Sequence, residues 1–375
     1  MKIVHVIIGL DVGGAELMLK RLIEAQSGDT RFEHCVISLS NVGVLGPQLV
    51  DAGIPVYPLG MKSLINGPSC IWSLRRLLKS LRPDIVHTWM YHADLLGGIA
   101  ARSLGIRNII WCIRSTDIRQ GGSKLTLLVR KACAKLSYYI PKVIVCAAHG
   151  SRKIHELVGY DPAKMLVIPN GFDMNRLSVD VLDRESFRSS LGIKPDTILV
   201  GSIGRFNQVK DHGTFIQAAA QLAENYPNVR FLLVGRGLKS DNLELVQQIE
   251  STGFAKRFIL LGERSDVPVC LRAMDVFCLH SRTEGFPNVL GEAMAVGLPC
   301  VTTDVGDAAY LLDRDEYVVP PSNPAMLSGA IECLLRLGED RRAELGAISR
   351  QRIFEKFTLT AISKQYADLY DKTAA

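Results

Sequence analysis

Four short stretches hold most of the residues able to do chemistry. In "EGFPNVLGE", Glu284 and Glu292 stand eight residues apart around Gly285, Phe286, Pro287, Asn288, Val289 and Leu290. A carboxylate accepts two hydroxyl hydrogen bonds at once, so either acid suits a vicinal diol. A helix opening near Asn288 adds backbone N–H groups that favour an anion. In "GRFNQVKD", Gly204 leads to Arg205 and Lys210, two cations five residues apart on a loop after an apolar run. Such a pair can clamp a diphosphate and neutralise charge on a leaving phosphate. "VGRG" and "LGERSD" end two further apolar runs, with Gly235 for close backbone approach and Arg264 beside a base. Taken singly, each stretch is more readily an ordinary turn or a solvated charge. Their convergence at neighbouring strand ends argues for one nucleotide site.

The first half of the chain offers weaker signals. "GLDVGGAE" places Gly9, Gly13 and Gly14 before a helix, where an anion can sit. The spacing is not GxGxxG, and the second strand run ends without an acid to hold a ribose, which disfavours a dinucleotide cofactor. "DIVHTWMYHAD" holds His87 and His92, candidate acceptor contacts or hydrogen-bonded structural residues in equal measure. Their spacing, with no third ligand nearby, disfavours a zinc site, and no metal is expected. "WCIRSTD" adds Arg114, Ser115 and Asp117 at a strand end, and His149 follows "CAA" at another.

These loops need strands to position them. Apolar runs such as "IVHVIIG", "DIVHTW", "ILVGSIG" and "VFCLHS" alternate with helical patterns such as "AELMLKRLIEAQ" along the 375 residues. That rhythm is the signature of buried parallel strands joined by crossover helices, so two doubly wound α/β domains are predicted. The boundary falls in the polar stretch 174–195, read as a linker, giving domains 1–185 and 186–355 and a final helical segment 356–375. No run approaches the roughly 18 apolar residues of a membrane-spanning helix. The nine cysteines form no CxxC pair and several lie in apolar runs, as reduced thiols of a cytosolic protein would.

Charge is unevenly spread. Residues 1–185 carry 23 Lys and Arg against 15 Asp and Glu, and 102–153 hold eleven bases and one acid, Asp117. A block of that kind attracts polyanions. Within it, 123–140 has helical periodicity, with Leu125, Leu128, Val129, Ala132 and Leu136 predicted on one face and Lys124, Lys131 and Lys135 on the other. The pattern suits either an anionic membrane surface or an ordinary packed helix. No nucleic-acid reader motif accompanies the basic block.

"GGAE", "DIVHTW", "VIPNGFD", "GRFNQVKD", "VGRG", "LGERSDV" and above all "EGFPNVLGEAMAVGLPCVTTDVG" resemble the retaining, nucleotide-sugar-dependent glycosyltransferases of the GT-B fold, the large group that includes sucrose synthase. The matches run in family order from about residue 3 to 320. The resemblance implies two Rossmann-like domains facing across a cleft, the final helix crossing back to the first. It implies that Arg205 and Lys210 hold the donor diphosphate with backbone help from Gly14, that Glu292 takes the ribose, and that Glu284 with the backbone of Gly285 to Asn288 takes the transferred sugar. Many relatives carry a His where this chain has Arg114, and Arg cannot act as a base. His87 or His92 then shares its work.

The expected activity is retaining transfer of a hexose from a nucleotide diphosphate sugar, a co-substrate rather than a cofactor. The acceptor is a glycan or polyprenyl-phosphate-linked glycan of lipopolysaccharide or exopolysaccharide assembly. The expected location is the cytoplasm, peripheral on the inner face of the membrane. Alternatives are a GT-B sugar-nucleotide epimerase or phosphorylase, and a non-catalytic nucleotide-sugar or polyanion-binding protein.

Overall fold

The structure, a computed structural model, describes residues 1–61, 67–115, 123–178 and 181–375. The chain divides into two compact units: Met1–Gly171 with Leu359–Ala375, and Phe172–Thr358. The division thus falls at Gly171, before the 185 expected from sequence. The stretch read as a linker contains a helix, Val181–Ser190, that belongs to the second unit. Its Arg184 and Arg188 both reach Asp275, at 2.6 and 3.1 Å, and Arg188 also donates to the Thr197 carbonyl at 2.6 Å. Charged residues that look like linker polarity are therefore ion pairs docking a helix on its own unit.

The first unit holds a seven-stranded, all-parallel sheet. Its strands are β1 (Lys2–Ile7), β2 (Glu33–Ser38), β3 (Val56–Pro58), β4 (Ile85–Trp89), β5 (Ile109–Ile113), β6 (Val143–Cys146) and β7 (Met165–Val167). They lie in the order β3-β2-β1-β4-β5-β6-β7. Buried on both faces, they read as continuous apolar runs. Helices Gly67–Leu81, Tyr91–Arg102 and Lys124–Leu136 cover one face, and Gly14–Gln26, Leu45–Asp51 and Leu359–Ala374 cover the other. In the second unit β8 (Ile198–Ile203), β9 (Val229–Val234), β10 (Phe258–Gly262), β11 (Val276–Leu279), β12 (Cys300–Thr303) and β13 (Val318–Val319) are ordered β10-β9-β8-β11-β12-β13, again all parallel. Each sheet reverses its order at one place, between β1 and β4 and between β8 and β11. Open α/β sheets bind ligands at that switch point, beyond the carboxyl ends of the strands.

The sequence reading of helix 123–140 needs correction. Val129, Arg130, Cys133 and Ala134 face the core, whereas Leu125 and Leu128 are 49% and 64% exposed. The two leucines share the outer surface with Lys124, Lys131 and Lys135, and Tyr138 and Tyr139 extend it. Burial of Val129 and Cys133 against the Tyr91–Arg102 helix sets the orientation, and a helix has room for only one such face.

Under the last helix lies a cluster of buried histidines. The Trp89 indole N–H donates to His5 Nδ1 at 3.2 Å, so the His5 proton sits on Nε2, which donates to His34 Nδ1 at 3.0 Å. His87 Nδ1 lies 3.0 Å from the Tyr370 hydroxyl. Burial holds His34 down to about 4 and His5 and His87 well below the ordinary value of 6.5. The unfolded chain therefore takes up protons below pH 6.5 that the folded chain refuses. Stability should be full above pH 6.5 and fall towards pH 4, by up to about 1.4 kcal/mol per pH unit for each histidine. Urea midpoints at pH 7.5 and pH 5 test this; equal midpoints would refute it.

Candidate active site

In the second unit the loops after β8 and β11 flank the switch point, and four links stitch them together. Lys210 Nζ meets Glu284 Oε1 at 2.5 Å. The Arg282 backbone N–H donates to the Val209 carbonyl at 2.8 Å. The Arg282 guanidinium holds Asp211 through Nε and a second nitrogen, at 2.8 and 2.9 Å. His280 Nδ1 lies 2.5 Å from the Lys210 carbonyl, which can only accept, so the proton is on Nδ1. His280 Nε2 then accepts from Ser202 Oγ at 2.8 Å. Burial pushes His280 down to about 4, which keeps it neutral and the tautomer fixed.

Asp211 ends this loop in the left-handed region, φ +53°, and also accepts from Thr214 and Ser322, each at 2.9 Å. Burial works to raise its pKa, but the donors from Arg282, Thr214 and Ser322 hold it below the ordinary carboxylate value. Glu284 accepts on the same oxygen, Oε1, from Lys210 and from Ser281 Oγ at 2.6 Å. A half-buried carboxylate pinned by a cation and a hydroxyl has one orientation. Arg205, by contrast, is exposed.

Two glycines bring backbones together here. Gly235, φ +145°, would place any Cβ 2.1 Å from the Gly204 carbonyl oxygen. Gly306, φ +55°, would place one 2.3 Å from that of Gly285. Only glycine fits either position, and the Asp307 N–H then donates to the Gly285 carbonyl at 2.9 Å. The helix Asn288–Val296 begins immediately after, with its N-terminal turn at the loop. Phe286, Pro287 and Leu290 are buried, and Phe286 packs on Phe172 and Phe357. From these three only the main chain faces the loop. Glu292 is half-buried in the second turn. Arg264 pairs with Asp266 at 2.5 Å and lies over the Phe187 ring.

In the first unit the loop after β1 runs to Gly14, the first residue of its helix, and His92 lies half-buried in the first turn after β4. These flank that sheet's own switch point. Met90, between β4 and its helix, has φ +72°, an uncommon geometry for a side-chain-bearing residue at a strand end. Arg114 stands at the end of β5. Its guanidinium donates to the Tyr366 hydroxyl at 3.0 Å and to Asn170 Oδ1, and lies 5.4 Å from the centre of the Trp89 ring. His149 opens the helix after β6 and is exposed. Asp117 lies outside the described residues.

One candidate is overturned. His87 is the middle residue of β4, is 0% exposed, and is covered by Tyr366 and Tyr370. It cannot touch an acceptor and belongs to the structural histidine cluster. The sequence reading also missed Ser202, Asp211, His280, Ser281 and Arg282. Of these, His280 and Ser281 end the apolar run "VFCLHS", and Asp211 follows Lys210 directly, so position at a strand end was the available signal. Asn170 lies within "VIPNGFD", but nothing local links it to Arg114, 56 residues away.

Comparison with known proteins matches residues 12–176 to the family described as Glycosyltransferase Family 4 and residues 183–352 to Glycosyl transferases group 1. Between them they take in every strand of the two sheets except β1. The chain belongs to the GT-B glycosyltransferases. Among relatives of this transferase, the Escherichia coli UDP-Gal:alpha-D-GlcNAc-diphosphoundecaprenol alpha-1,3-galactosyltransferase is 29% identical, covering 82% of this chain and 80% of that enzyme. A putative Bacillus subtilis glycosyltransferase, EpsF, is 24% identical over 81% of this chain and 79% of its own. The crystal structure of Anabaena HepE in complex with UDP shares the transferase fold with a TM-score of 0.85 at 23% identity, covering 99% of this chain and 100% of that one.

Proposed function

We propose that this transferase moves a hexose, with retention of configuration, from a nucleotide diphosphate sugar to a glycan or polyprenyl-phosphate-linked glycan in cell-surface polysaccharide assembly. The Lys210–Glu284 pair at the second switch point carries the proposal. Lys210 is the cation for the leaving phosphate, with the exposed Arg205 free to close on the same diphosphate. Glu284 is held through Oε1, so Oε2 presents its lone pairs to hydroxyls of the transferred sugar. Glu292 takes the ribose diol, and the N–H groups at the start of the Asn288 helix meet phosphate. In front-face transfer the leaving phosphate itself takes the proton of the acceptor hydroxyl, so no protein base is required and Arg114 can stand where a His is common. Charge from Arg205 and Lys210 takes the part a divalent ion would otherwise play, and transfer should proceed equally in EDTA.

The Escherichia coli relative, whose name pairs UDP-Gal with a diphosphoundecaprenol-linked acceptor, supports a donor and acceptor of these classes. The HepE complex with UDP-glucose favours a uridine donor. We assign acceptor binding to the first unit's strand ends, with His92 and Arg114 at their edge. Nine free cysteines, eight of them buried, suit a reducing cytoplasm. Among the described residues no helix is long and apolar enough to cross a membrane. The outward Leu125 and Leu128 among lysines suit peripheral docking on an anionic leaflet. A thermal-shift screen of nucleotides and nucleotide sugars tests the donor site. UDP and UDP-hexoses are expected to raise Tm, and a rise with nicotinamide dinucleotides but not with UDP would overturn the reading.

A further inference from the structure

On the outer surface of the first unit, the helix Gly67–Leu81 carries Trp72, Arg75, Arg76 and Lys79 at spacings of three and four residues, hence on one face. With Arg82 they line an open cavity of about 560 Å³. Its remaining lining is apolar, chiefly Leu78, Leu104 and Ile106, and among the described residues no acid takes part. Trp72 is 63% exposed, with the Arg76 guanidinium 5.9 Å from its ring centre. Four cations with no lining anion over an apolar floor, beside an exposed indole, complement a group that is anionic at one end and hydrocarbon at the other. The lining segments Arg82–Pro83 and Leu104–Ile106 lead into β4 and β5, at the amino edge of the sheet. The cavity is therefore not the acceptor edge, which lies at the carboxyl ends.

We infer that this cavity binds the phosphodiester headgroup and upper acyl chain of an anionic phospholipid. The inference rests on the proposed membrane docking. The two surfaces share one side of the sheet, because the Gly67–Leu81 and Lys124–Leu136 helices pack on either side of Tyr91–Arg102 over a common core. Arginine and lysine stems lie along apolar surface while their heads reach phosphate, and tryptophan settles at the interface between headgroup and chain. Binding should weaken steeply with salt.

The chain supplies its own reporter. Of its three tryptophans, Trp89 and Trp111 are fully buried, so a change in emission on adding lipid reports Trp72. Monomeric dihexanoyl-phosphatidylglycerol, below its micellar concentration, should give a saturable shift. Dihexanoyl-phosphatidylcholine should bind at least tenfold more weakly. The double variant Arg76→Glu/Lys79→Glu should lose at least tenfold in affinity with Tm unchanged, since both side chains are exposed. Equal response to the two lipids, the same saturation by inorganic phosphate alone, or wild-type affinity in the double variant would each overturn the inference. Leu125→Glu/Leu128→Glu separates it from the docking surface. Loss of vesicle binding with the monomer response intact supports both, whereas vesicle binding by wild type without any monomer response sinks the lipid cavity alone.

Discussion

Lys210→Ala should lower kcat about 10²- to 10³-fold, the usual consequence of removing one preorganised charge from a site where negative charge develops. The change should fall on kcat more than on donor KM, because the phosphate gains charge chiefly as the glycosidic bond breaks. It should leave the fold intact. The loop is held by its main chain, through His280 at the Lys210 carbonyl and Asn207 Oδ1 at the Lys210 N–H, 3.1 Å away. The side chain's own partner is Glu284, which keeps Ser281 after the substitution. Steady-state kinetics with a Tm control measure both halves of the claim. A variant with near-normal kcat would remove Lys210 from the chemistry.

Glu292→Ala should instead act on binding. A carboxylate bridging two ribose hydroxyls makes charge-assisted bonds worth about 1.5–3 kcal/mol each, so donor KM should rise about 10²- to 10⁴-fold with a smaller effect on kcat. The ribose carries no changing charge, so its contacts serve ground and transition states alike. The helix itself should persist, since Leu290, Ala293 and Met294 anchor its other face in the core. Unchanged donor KM would place the ribose elsewhere.

Most of the architecture was legible because parallel strands buried on both faces leave long apolar runs. β7 and β13, with three and two residues at sheet edges, leave only short runs. Helix Val181–Ser190 escaped because its docking contacts are charges to Asp275, indistinguishable in sequence from solvated polarity. The loops after β8 and β11 stood out through residue type and place, and the structure brings Lys210 onto Glu284. His87 misled for a definite reason. A histidine inside a strand run looks like one at its end unless the covering element, here the last helix, whose Tyr370 lies 283 residues further along the chain, is known. The faces of helix 123–140 were misassigned for a related one, since two apolar stripes compete and only tertiary contact selects the Val129–Cys133 side.

The stereochemistry of transfer tests the central claim most directly. Incubating the protein with an α-linked UDP-hexose and a lipid-linked glycan acceptor, then reading the new anomeric proton by NMR, should show an α-linked product. A β-linked product, or conversion of the donor sugar with no acceptor present, would contradict the account.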